Sequence, residues 1–160
     1  MTKDETEGDL RPGEVAVELP PQTDAGVLFI GKIRTPWRNR RDCPKRGSPD
    51  GPVCSIEIDP RWRAALAGID RHRRLQVLYW MDQTRRDLVL QTPTGGETTG
   101  TFALRSPVRP NPIASSVVEL VAIEGTILRV RGLDCVDGTP LLDLKPDYPP
   151  NPGIHGPPRE

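Results

Sequence analysis

The feature that most constrains this chain is its punctuation: 19 prolines and 15 glycines are spread over 160 residues. A proline inside a helix removes a backbone donor and collides with the preceding turn, so a chain broken this often builds short elements. Hydrophobic residues make up 35% of the sequence and aromatics 4%, which suits one core of ordinary size and not two full domains. The mixture favours strands and turns over long helices.

Residues 1–24 mix Asp, Glu, Thr, Gly and Pro with few apolar side chains. That offers too little burial to offset the entropy of ordering, and a flexible N-terminal tail is expected. Residues 147–160 carry prolines at 149, 150, 152, 157 and 158 and are expected to form a second, Pro-rich tail. Between them, β-prone runs fall at residues 27–34, 53–58, 75–81, 88–92, 117–123, 126–133 and 140–144. In the second, Cys54, Ile56 and Ile58 alternate with Val53, Ser55 and Glu57, as in a half-buried strand. Glu124-Gly125 and Asp137-Gly138 are turn signals. One short helix is predicted after Asp59: Asp59 caps, Pro60 suits the first turn, Trp62, Leu66 and Ile69 share a face, and Gly68 stops it. Residues 25–146 are therefore expected to form a single all-β domain, a closed or nearly closed barrel of short strands with one short helix.

Lysine plus arginine equals aspartate plus glutamate, at 22 each, so no bulk positive charge drives unselective binding to nucleic acid; any RNA contact must come from local patches. No apolar run approaches the roughly 20 residues that span a bilayer, and the start of the chain is acidic and polar, so the expectation is no membrane and a cytoplasmic location. The three cysteines, Cys43, Cys54 and Cys135, have no CxxC spacing, and His72 and His155 are the only histidines. No metal site is expected, and the thiols are read as reduced.

Three segments could carry chemistry. Residues 102–113 hold prolines at 107, 110 and 112 together with Arg105, Ser106, Arg109 and Asn111. Such a stiff polar loop suits a ligand cradle, and equally a rigid crossover whose arginines meet carboxylates. Residues 133–140 bring Asp134 and Asp137, which could accept hydrogen bonds from a ribose or an amine, although Asp before Gly also serves a turn for its backbone alone. The third is basic: Lys32, Arg34, Arg38, Arg40, Arg41, Lys45 and Arg46 surround Trp37, and Arg61, Arg63, Arg71, Arg73 and Arg74 flank His72. Such patches could meet phosphates with a ring available for stacking, and also fit a solvated face. Arg34, Trp37, Arg38, Arg40, Arg41 and Arg109 are the candidate RNA contacts.

Taken in order, Ile30-Gly31-Lys32-Ile33-Arg34-Thr35-Pro36, Gly100-Thr101-Phe102-Ala103-Leu104-Arg105-Ser106-Pro107 and Arg109-Pro110-Asn111-Pro112-Ile113 resemble the TsaA-like family, which includes the transfer RNA N6-methyltransferases called TrmO. The resemblance continues through Ser116-Val117-Val118-Glu119-Leu120, Leu133-Asp134 and Asp137-Gly138-Thr139-Pro140-Leu141-Leu142-Asp143-Leu144-Lys145-Pro146. It covers residues 26–146, and several motifs in one order are far more specific than any single one.

The resemblance implies a single barrel that binds S-adenosylmethionine, acts as a homodimer, and methylates the exocyclic amine of a threonylcarbamoyl-adenosine beside the transfer RNA anticodon. It maps cofactor contacts to Pro44, Lys45 and Arg46, to Asp82 and Gln83, to Arg105, to Ser115, and to Asp134, Cys135, Val136 and Asp137. Asn111 or Asp137 is the candidate for orienting the amine. The chain differs from the family pattern at Arg46, where Gln is usual, at Asp82, where His commonly precedes Gln, at Ala114, where Gly is common, and at Asp147, where Tyr follows Lys-Pro. Two other classes fit the same sequence: a non-catalytic barrel that binds a nucleotide or RNA, and a methyltransferase for a small-molecule or protein acceptor.

Overall fold

The structure, a computed structural model, describes residues 10–148. Its centre is a closed six-stranded barrel, all of whose pairings are antiparallel. In chain order the strands are β1 (Val15–Ala16), β2 (Gly31–Arg34), β3 (Cys54–Ile58), β4 (Arg74–Trp80), β5 (Leu88–Gln91), β6 (Thr99–Gly100), β7 (Ile113–Glu124), β8 (Ile127–Arg131) and β9 (Pro140–Pro146). Around the barrel they run β2-β3-β8-β7-β4-β9, and β9 closes the ring by pairing with both β4 and β2. Closure removes the sheet edges that an open array would expose.

Alternation fills the interior as the sequence predicts. Cys54, Ile56 and Ile58 of β3, Leu75, Val77 and Tyr79 of β4, and Leu128 and Val130 of β8 point inward, with Ile33, Val118, Leu133, Cys135 and Leu141 completing one cluster. Each large side chain enclosed there contributes about 1.5–3 kcal/mol relative to exposure. Register shifts at Leu78/Tyr79 and Leu120/Ala122 bend the wall.

Several expectations change. The helix after Asp59 is a 3₁₀ helix, Pro60–Leu66, and no α-helix occurs among the described residues. Its cap is as read, the Asp59 carboxylate accepting from the Arg61 N–H at 3.0 Å, and Trp62, Leu66 and Ile69 pack on the core. The run at 88–92 forms a strand outside the barrel, in a small sheet ordered β1-β5-β6. The run at 27–34 starts its strand only at Gly31, leaving Val27, Leu28 and Phe29 exposed.

The flexible tail expected over 1–24 is corrected within the described part. Val15 and Ala16 pair with Leu90 and Leu88, Val17 N–H donates to Asp87 O at 2.8 Å, and Arg11 donates to Thr92 O at 3.1 Å. Glu14 accepts from the N–H groups of Arg11 and Thr92 at 3.0 and 3.2 Å. Docking rests on backbone and carboxylate hydrogen bonds while Val15 and Val17 stay exposed, so an argument from apolar content misses it. Of the expected C-terminal tail, Asp147 still follows the barrel, its N–H on Arg74 O at 3.1 Å and its carboxylate 2.9 Å from the Arg74 guanidinium. Residues 1–9 and 149–160 lie outside the described residues.

Candidate functional site

Five segments meet at one part of the barrel: the loop leaving β2, the turn after β4, the proline-rich loop before β7, the start of β7, and the loop between β8 and β9. Two glycines allow the closest approach. A Cβ at Gly47 would overlap the Gly132 carbonyl, and one at Gly132, whose φ is +114°, would lie 3.0 Å from Val117 O. The loop carrying Pro44, Lys45 and Arg46 therefore lies against the segment that leads into Asp134. All three of those side chains are exposed.

The β8–β9 loop is tied to the end of β2. Thr35 donates its hydroxyl to Cys135 O at 2.8 Å and its N–H to Asp137 Oδ1 at 3.1 Å. Asp137 N–H donates to Trp37 O at 2.7 Å and Gly138 N–H to Ile33 O at 2.8 Å. Gly138 has φ +81°, the backbone an Asp-Gly turn requires. The Asp137 carboxylate thus closes the turn onto β2, with Arg34 3.9 Å from its second oxygen. The Val136 carbonyl accepts from the Thr139 hydroxyl at 2.6 Å. Burial pushes the Cys135 thiol up to about 12, and burial, followed by the charges of Asp134 and Asp42, also raises Cys43. Both thiols stay protonated near neutrality.

The most telling contact involves a residue that the sequence reading did not single out. Tyr79, 2% exposed, donates to Asp134 Oδ1 at 2.6 Å and lies 2.8 Å from the Ser116 hydroxyl, which is itself 3.4 Å from the same oxygen. Burial, then the Asp134 hydrogen bond, holds the phenol far above its usual range, so it stays protonated: its one proton goes to Asp134, and its oxygen accepts from the Ser116 hydroxyl. Both bonds fall on Oδ1 and neither on Oδ2 of this half-buried carboxylate. The inward phase Leu75, Val77, Tyr79 was the available clue: a phenol in a core must find a partner.

Next along β7, Ser115 accepts from Gln76 at its hydroxyl at 3.0 Å and from Arg105 Nη2 at its carbonyl at 3.1 Å. Arg105, Ser115 and Asp134 are thereby linked through adjacent residues of one strand. The proline-rich loop that carries Arg105 satisfies its carbonyls with side-chain donors. Arg109 Nη1 takes Leu104 O and Ser106 O at 3.0 and 3.1 Å, Thr84 takes Pro107 O at 3.2 Å, Gln91 takes Val108 O at 2.7 Å, and Arg86 takes Pro110 O at 2.5 Å. Arg86 also reaches Asn111 Oδ1 at 3.2 Å and lies 5.4 Å from the Trp80 ring. Asp82 and Gln83 are exposed in the turn that Thr84 staples to this loop.

The candidate RNA contacts divide. Arg38, Arg40 and Arg41 are exposed. Arg34 is paired with Glu57 at 3.1 Å, Trp37 is half-buried against the core, and half-buried Arg109 braces its own loop. In the second basic stretch, Arg61, Arg73 and Arg74 pair with Asp59, Glu119 and Asp147. A cavity of 220 Å³ beside Trp62, Leu66 and Ile69 includes none of the site residues. Among the described residues no group of three or more His, Cys, Asp or Glu could hold a metal ion, and no helix is long and apolar enough to cross a membrane.

The arrangement offers a guanidinium and a carboxylate on two sides of Ser115-Ser116, which suits a ligand bearing a carboxylate and a cationic centre.

Residues 32–151 match the family described as the tRNA-methyltransferase O N-terminal domain. The chain is 53% identical over 139 residues to a probable S-adenosyl-L-methionine-binding protein, VirR, of Rhizobium radiobacter, covering 86% of this chain and 79% of that protein. It is 36% identical over 135 residues to a tRNA (adenine(37)-N6)-methyltransferase of Escherichia coli (strain K12), covering 75% of this chain and 56% of that one. Among solved structures, TrmO from Pseudomonas aeruginosa superposes with a TM-score of 0.66 at 29% identity, covering 86% of this chain and 62% of that chain.

Proposed function

This chain belongs to the tRNA-methyltransferase O N-terminal domain family, and on that premise we propose that it binds S-adenosylmethionine and methylates N6 of adenosine 37 in transfer RNA. The observation that carries the reading is the link from Arg105 through Ser115 and Ser116 to Asp134, inside the segment matched by the family. The donor set fits the cofactor's amino-acid end and its positive sulfur. The names of the Rhizobium radiobacter and Escherichia coli relatives support binding and transfer respectively. The chain spans 56% of the Escherichia coli protein and 62% of the solved TrmO chain, so the whole activity is our proposal.

When bound, S-adenosylmethionine supplies an electrophilic methyl group on a cationic sulfur. The residues of this chain do the rest. Arg105 presents planar donors to the cofactor carboxylate, and Asp134, oriented by Tyr79 and Ser116, presents an acceptor and a negative charge. Pro44, Lys45, Arg46, Asp82, Gln83, Ser115 and residues 135–137 supply the remaining cofactor contacts in this reading. Positioning is the main demand, since transfer needs an in-line approach of nitrogen to carbon. The stiff loop meets it, with Asn111 or Asp137 holding the exocyclic amine.

For the acceptor we propose the threonylcarbamoyl form of adenosine 37, reached through exposed Arg38, Arg40 and Arg41. We propose a homodimer as well, supported by the apolar, exposed Ile113 and Val117 on the outward face of β7, and a cytoplasmic location where transfer RNA is modified. The test is mass spectrometry of transfer RNA nucleosides from cells with and without the gene. Loss of one N6-methylated nucleoside supports the reading, while cofactor binding with an unchanged nucleoside profile points to a binding role or another acceptor.

A further inference from the structure

We propose that Gln91 is a positioning residue for Arg105. The inference rests on the cofactor reading above and adds what holds the loop in register. Prolines at 107, 110 and 112 remove three backbone donors from this loop, so most of its carbonyls are met by side chains: Arg109 from within, and Thr84, Arg86 and Gln91 from outside.

Gln91, 6% exposed at the end of β5, donates through Nε2 to Thr101 Oγ1 at 2.8 Å and to Val108 O at 2.7 Å. A carbonyl can only accept, which fixes the amide nitrogen on that side. One buried side chain therefore clamps both ends of the segment that carries Arg105. Thr101, 3% exposed, passes the connection to Leu88 O at 2.7 Å, back on the strand that bears Gln91. That strand is braced in turn by β1 and by Glu14 on the Thr92 N–H. The frame leaves the Arg105 guanidinium 3.1 Å from Ser115 O, beside the strand that carries Ser116 to Asp134.

The test uses Gln91→Met, which keeps the length and removes both donors. Affinities for S-adenosylhomocysteine and for 5′-methylthioadenosine, which lacks the amino-acid carboxylate, are measured by calorimetry alongside thermal unfolding. The expected result is a loss of about tenfold for S-adenosylhomocysteine, the size of one misaligned charge-assisted hydrogen bond, with 5′-methylthioadenosine unchanged. In an Arg105→Ala background the same substitution should add no further loss. Unchanged affinity, or an equal loss for both ligands, overturns the proposal. If Gln91→Met does not fold, Gln91→Asn, which retracts the amide by one methylene, is held to the same criterion. A wild-type protein that binds neither ligand overturns the cofactor reading itself, and the positioning role with it.

Discussion

Tyr79 and Asp134 are joined by a 2.6 Å hydrogen bond from a phenol inside the barrel to a carboxylate at its rim. The contact couples the core to the candidate site: β4 fixes the ring, and the ring fixes Oδ1. Tyr79→Phe should cost about 1.5–3 kcal/mol, the range for a hydrogen bond to a charged group, and should weaken S-adenosylhomocysteine binding. Urea unfolding and calorimetry on one preparation check both.

The same contact gives a pH dependence with a definite sign. The folded phenol is raised above its unfolded value of about 10, so the contribution of Tyr79 is fully present below that value and declines as pH rises beyond it. Wild-type stability should fall between about pH 10 and 11 more steeply than that of Tyr79→Phe. Parallel curves for the two proteins would show that the phenol ionises as readily folded as unfolded.

Arg105→Lys should keep the fold and bind S-adenosylmethionine about tenfold more weakly, because an ammonium reproduces planar paired donors poorly. Its bond to Ser115 O is exposed, so thermal unfolding should barely move. Wild-type affinity in a folded lysine variant removes Arg105 from the site.

Gly47→Ala should be costly for its location. The added methyl meets the Gly132 carbonyl backbone, which cannot rotate away, and overpacking of this kind costs about 1–3 kcal/mol. Gly26→Ala, with open space around it, should be near neutral. Chemical denaturation of the two variants makes the comparison, and equal midpoints would mean that the two loops separate freely.

The N-terminal strand should be sensitive to acid. Glu14 is held below its usual range, chiefly by the Arg11 N–H, with the Thr92 N–H adding to it. Its contribution is present above the unfolded value of about 4.3 and lost as pH falls through the lower folded one. Protection of the Val17 N–H, bonded to Asp87 O, against hydrogen exchange, taken relative to a free amide at the same pH, should fall below about pH 4, and Glu14→Gln should show reduced protection already at neutral pH.

The barrel was legible where periodicity and burial agree. Residues 53–58 alternate and 75–81 are a β-prone run; they became β3 and β4, and the Asp-Gly and Glu-Gly turns lie where the sequence puts them. What the sequence concealed were bonds made by polar groups with no pattern: Glu14 on Thr92, Gln91 on Val108, Thr84 on Pro107, Tyr79 on Asp134. Each joins residues far apart in the chain, and hydrophobic periodicity carries no information about such partners. The same holds for Arg109, indistinguishable by composition from exposed Arg38 yet folded back onto Leu104 and Ser106.

The central claim is methyl transfer to adenosine 37, and the most direct measurement incubates the purified protein with transfer RNA and methyl-labelled S-adenosylmethionine, then digests the RNA and locates the label by mass spectrometry. Label is expected on N6 of the nucleoside at position 37, at a rate reduced in Arg105→Lys. Label at any other position, or none in a preparation that binds S-adenosylhomocysteine, would contradict it.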